Sequence, residues 1–153
     1  MVTEVEPQEQ VPPLDARHLA REAALQMLYQ HEVGGMPIDD VCRTFWDGGP
    51  AGDPPPATIR TLAVALAQGV ASRVASLDPV IAGAAEHWRL DRMQVMDRLI
   101  LRLAVYELVH TPDTPGRVVI NEALELAHAF SGDDAARFVN GVLDAIRTSL
   151  GRA

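Results

Sequence analysis

The sequence predicts an all-α protein, a single compact helical bundle of about seven helices, on three observations. Apolar residues recur at helical spacing through most of the chain. Gly- and Pro-rich breaks interrupt that spacing at short intervals, and no convincing stretch alternates apolar with polar residues as a half-buried strand would.

The elements follow in order. Residues 1–14 are acidic and proline-bearing and read as a disordered tail, with one helical domain over 15–150. Asp15 is placed to cap a first helix running to about Glu32, and 38–46 suits a short one. The segment DGGPAGDPPPA at 47–57 is too rich in Gly and Pro to continue a helix, so it is expected to be a loop within the domain. Residues 58–76 carry Ile59, Leu62, Leu66 and Val70 on one face, and Asp78 followed by Pro79 is an N-cap and first-turn signal for a further short helix.

The stretch 93–110 is apolar around most of its circumference, through Leu99, Ile100, Leu101, Leu103, Ala104, Val105, Leu108 and Val109. It is therefore expected to run through the core. Thr111-Pro112 and Pro115-Gly116 separate it from a helix with Ile120, Leu124 and Ala127 on one stripe. Ser131 and Gly132 break that pattern, Gly132 as a left-handed stop. Asp133 and Asp134 then open the last helix at the positive end of its dipole, with Val139, Val142, Leu143 and Ile146 facing inward. Phe138 falls about a quarter turn off that stripe, which leaves an aromatic ring at the rim.

Composition narrows the function classes. At 153 residues and 48% hydrophobic the chain has enough length for one ordinary core. The lone Cys42 excludes an intrachain disulfide and fits a reducing compartment. The start lacks the pattern of a secretory signal and nothing is long and apolar enough to span a membrane, so a soluble cytoplasmic protein is expected. Thirteen basic against 21 acidic residues leave a formal charge of −8, which argues against nucleic-acid binding by bulk charge. Any RNA site must be local or shared with a partner.

Motifs of catalysis are missing from the sequence: no Gly-rich phosphate loop, no HExxH, no paired cysteines, no nucleophile elbow. No catalytic residue, metal or cofactor is expected. Cys42 lies beside Arg43 but reads as a small buried apolar residue, and His18, His31 and His87 show no ligand spacing.

Four charged features remain. Arg17 and Arg21 share a face in the opening turns of the first helix, where positive charge opposes the dipole, with His18 between them. Two readings stand: a solvated helix start, or exposed arginines that clamp RNA phosphates. On the central helix one polar stripe carries Asp91, Gln94, Arg98 and Arg102 with Asp97 at its margin, and it meets either water or a partner. Glu107 points to the apolar side and needs a partner, for which an arginine from another helix is the structural answer. The alternative from another class is a di-iron carboxylate enzyme, because Glu107-x-x-His110 and Glu125-x-x-His128 repeat the spacing used in ferritin-like bundles, with Glu22 and Glu32 in reserve. Both pairs sit on helices adjacent in sequence, unlike that pattern.

Three motifs together resemble a known family. VVINEALELAHAFSGDDAARFVNGVLDAI at 118–146, AREAALQMLYQHE at 20–32 and MDRLILRLAVYEL at 96–108 are similar, in order, to the signature of NusB, the bacterial transcription antitermination factor family. The resemblance implies an adaptor that binds boxA single-stranded RNA together with the ribosomal protein NusE and helps assemble the antitermination complex on RNA polymerase. It places Arg17, Arg21, Asp134, Arg137 and Phe138 at or near RNA, with His18 and Leu19 standing where the family commonly has further arginines. It also places Asp97 at the NusE contact and matches Tyr29 to a family aromatic, which equally suits packing. Phe138 suits either base stacking or half-buried packing. Some members of the family are dimers, so a homodimer is left open. A related domain fronts some ribosomal RNA cytosine methyltransferases, but FVNGVLD resembles the free-standing factors better and no room follows for a cofactor domain.

Overall fold

The computed structural model describes residues 14–47, 55–85 and 89–152, and among them lie seven α-helices, one 3₁₀ turn and no strand. The helices are α1 (Leu14–Gly34), α2 (Ile38–Thr44), α3 (Ala57–Ala71), α4 (Val74–Ala84), α5 (Val95–His110), α6 (Gly116–Phe130) and α7 (Asp133–Ser149), with the 3₁₀ turn at Leu90–Arg92. The expected tail, apart from Leu14, most of the expected loop at 47–57, and His87 lie outside the described residues.

α5 is the hub. It packs against α1, α3, α4, α6 and α7, which is why its apolar residues wrap around the helix rather than forming one stripe. Leu99, Ile100, Leu101, Leu103 and Leu108 are all buried, and burying each such side chain contributes about 1.5–3 kcal/mol. α3 crosses α5 closely at Gly69, where an added Cβ would collide with the Tyr106 ring. α6 packs on α7, burying Val119, Ile120, Ala123 and Leu126 against the expected α7 stripe of Val139, Val142, Leu143 and Ile146; of the stripe expected on α6, Ile120 and Ala127 are buried and Leu124 only half-buried.

The joint between these helices is Gly132. Its φ of 100° suits glycine, and its N–H reaches back to Ala127 O at 2.8 Å, closing the end of α6. Two boundaries differ from expectation. α1 starts at Leu14, so Asp15 lies inside the helix rather than capping it. α3 ends at Ala71, and α4 begins at Val74, ahead of Asp78-Pro79. Pro79 sits inside α4 although it cannot donate an N–H there. Burial of Leu77 and Ile81 carries the helix past it, and Asp78 is engaged by Arg102 instead of acting as a cap.

Candidate nucleic-acid interface

The opening turns of α1 lie across α6, and charge decides how they meet. Arg21 is only 4% exposed. Its Nε donates to both Glu107 oxygens at 3.0 and 2.9 Å, and its Nη2 donates to Oε1 at 2.8 Å. Burial pushes the guanidinium down, but the hydrogen bonds and charge of Glu107 more than offset this and hold it above its ordinary value. The cross-helix arginine expected for Glu107 is thus Arg21 itself. The expectation of two exposed arginines is corrected accordingly, because a carboxylate buried on the core helix draws Arg21 inward.

Arg17 is half-buried and pairs with no acid among the described residues. Together with Arg21, Leu62, Glu107, His110 and Thr111 it lines a cavity of about 450 Å³ between α1, α3 and the α5–α6 turn. Nη1 of Arg21 is buried with no hydrogen-bond partner and lies 3.8 Å from Glu122.

His18 donates from Nδ1 to Glu122 Oε2 at 2.7 Å, with Glu125 at 3.6 Å and Glu22 at 3.9 Å. The hydrogen bond to Glu122 raises its pKa above the ordinary 6.5; burial opposes the rise, and the charges of Glu122, Glu125 and Glu22 support it. A folded-state value raised in this way stabilises the protein fully below pH 6.5, and the contribution is lost as pH rises through the folded value. Stability measured by urea unfolding is therefore expected to fall as pH rises above 6.5, with His18→Gln flattening that slope. An unchanged slope in the variant would remove His18 as the cause.

These contacts run on to the α6–α7 joint. Glu125 stands one turn before His128, whose Nδ1 donates to Asp133 at 2.9 Å, and Asp134 and Arg137 pair in the first turn of α7. Phe138 is half-buried against the core at the rim, where its spacing placed it. Of the expected site residues, His18 meets Glu122 and Glu125 of α6, Asp134 and Arg137 pair with each other on α7, and Arg21 lies beneath the surface. Nothing in the sequence signals that His18 meets Glu122, because 104 positions separate them.

The polar stripe expected to meet water or a partner is divided. Arg98 donates to Leu90 O at 3.0 Å and to Glu32 at 3.2 Å. Arg102 donates to both Asp78 oxygens at 2.8 and 2.9 Å. These two arginines bind α1 and α4 to the core helix, while Asp91 and Gln94 stay exposed. Asp97 differs again, since its Oδ1 is buried with no hydrogen-bond partner.

The di-iron arrangement does not form. Glu107 is held by Arg21, His110 is exposed against the Tyr106 ring at 5.0 Å, Glu125 faces His18, and His128 is bound to Asp133. Among the described residues one other trio, His18, Glu122 and Glu125, brings ligand atoms within 4.8 Å of one another. Its own hydrogen bond, with Arg21 beside Glu122, accounts for that proximity. Cys42 is buried, and burial together with the Asp39 charge pushes its thiol up; the neighbouring Arg43 pairs with Asp40 instead.

Helices packed around α5, with charged side chains of α1 meeting acids of α6, define an all-α helical-bundle protein. The chain belongs to the NusB family, whose family model matches residues 18–148. It is 44% identical over 139 residues to the transcription antitermination protein NusB of Sorangium cellulosum, covering 91% of this chain and 96% of that protein. It is 42% identical over 134 residues to the NusB of Bacillus velezensis, covering 88% and 97%. Among solved structures it is similar to T. maritima NusB, with a TM-score of 0.77 at 31% identity, covering 91% of this chain and 93% of that one. The same fold, at 24% identity and a TM-score of 0.74, occurs in a crystal structure of antitermination factors NusB and NusE in complex with dsRNA, covering 90% of this chain and 99% of that one. No helix among the described residues is long and apolar enough to cross a membrane.

Proposed function

We propose that this protein is a non-enzymatic cytoplasmic adaptor that binds boxA single-stranded RNA jointly with ribosomal protein NusE and helps assemble the antitermination complex on RNA polymerase. The observation that carries this reading is the family match over 18–148, supported by His18 of α1 meeting Glu125 of α6 and His128 of α6 meeting Asp133 of α7. Arg17 supplies a cationic contact beside His18, Arg137 adds one next to Asp134, and Phe138 supplies a stacking edge. Arg21 supports this surface from below by tying α1 to α5. Asp97, half-buried in the first turn of α5, is the acid that the family resemblance sets at the NusE contact. With a net charge of −8 and few basic contacts, affinity is shared between two weak surfaces and the salt dependence is shallow.

The test is binding of a fluorescent boxA RNA by this protein, by NusE and by their mixture, with Arg17→Ala and Phe138→Ala alongside. Tight binding is expected only in the mixture, and Phe138→Ala should weaken it by about tenfold. A mixture that binds no better than NusE alone overturns the proposal.

A further inference from the structure

Three placements in the α6–α7 hairpin run against local stability, and all three face one groove. Arg117 sits in the first turn of α6, where a positive charge opposes the dipole, and it pairs with no acid. Asn121 and Asn140 sit inside α6 and α7, where asparagine is a poorer helix former than alanine. Both are exposed, and neither amide makes a hydrogen bond among the described residues. With Ile120, Asp144 and Arg147 they line a groove of about 420 Å³. The one acid there is already matched, since Arg147 donates to Asp144 at 2.8 Å.

Neither packing nor helix propensity accounts for free amides facing each other across two packed helices beside an unpaired guanidinium. A nucleotide does. A guanidinium matches a phosphate, and an Asn amide offers a donor and an acceptor side by side for an unpaired base edge. The groove also continues the surface already described. Arg137, Asn140, Asp144 and Arg147 follow one another at spacings that keep them on one stripe of α7, and Arg117, Asn121 and His128 do the same on α6.

We infer that the α6–α7 groove is a second contact for the same single-stranded RNA, with Arg117 on a phosphate and Asn121 and Asn140 on a base edge. This rests on the proposed function and extends the RNA path from the start of α7 toward its C-terminal end. Single-stranded RNA is the occupant because its Watson–Crick edges stay open to both amides.

The test compares a boxA RNA with one extended at both ends by about six nucleotides, within the span one binding fold tracks. Both are titrated against the NusE mixture. Asn121→Ala/Asn140→Ala should keep or raise the melting temperature, leave binding of the short RNA unchanged, and cost about tenfold on the extended one. Arg117→Gln should lower the salt slope for the extended RNA by about one. If Arg17→Ala weakens binding while the groove variants bind both RNAs like wild type, the groove inference fails and the proposed function stands. If the groove variants weaken NusE binding without RNA, the groove is a protein contact and the inference is overturned. If the mixture binds neither RNA better than NusE alone, both readings fall together.

Discussion

Replacing Glu107 by alanine is expected to destabilise the protein by about 3–5 kcal/mol, the largest effect of any single charged substitution here. Arg21 is 4% exposed and Glu107 likewise, so removal of the carboxylate leaves a nearly buried guanidinium without three hydrogen bonds, with Glu122 at 3.8 Å as the acid still beside it. Arg21→Ala is expected to cost a similar amount by the reverse route. An apolar double variant, Arg21→Met/Glu107→Leu, should recover most of the loss, because neither charge then has to be taken from water. Urea unfolding of the three variants measures this directly. The same series separates folding from RNA binding: the double variant should bind boxA RNA with NusE nearly as wild type does, if Arg21 acts only by holding α1 in place. A cost below about 1 kcal/mol for Glu107→Ala would mean that solvent reaches the pair.

Arg102→Ala is expected to cost about 2 kcal/mol, less than the buried pair because its acidic partners see water. The Arg102 side chain is 8% exposed, whereas Asp78 is 27% and Glu32 33% exposed. Its fork meets Asp78 squarely, with Nε and Nη2 on separate carboxylate oxygens, and Nη1 lies 3.7 Å from Glu32. Lysine has no fork, so Arg102→Lys should rescue little. The loss should loosen α4, the helix that carries Pro79, and amide exchange should rise first there. A double-mutant cycle with Asp78→Ala should give a coupling of about 1 kcal/mol or more, and a coupling near zero would show that Arg102 acts only through its packing.

Much of the site is legible in the sequence where the signal is local. The Gly132 stop, the acidic opening of α7 and the position of Phe138 off the core stripe all follow from neighbours within a turn or two. The family signature is legible for the same reason, since INEA and FVNG are local strings. The partners of charged side chains are not. Arg17 and Arg21 read alike, four residues apart on one face, yet one stays acid-free and the other is buried, because Glu107, 86 positions from Arg21, projects from the core helix beneath it. Likewise the α5 stripe looks solvated until Glu32 and Asp78 arrive from α1 and α4.

Periodicity, glycine and proline by themselves determined the all-α class, the seven helices and their inward faces, because each depends on backbone geometry over a few residues. Tertiary structure alone decided where α3 gives way to α4, what holds Arg21, Arg98, Arg102 and His18, and that Asn121 and Asn140 share a groove. The physical reason is that a charge or an amide is satisfied by whatever lies within about 3 Å of it, and in a folded chain that neighbour is set by helix packing rather than by sequence distance.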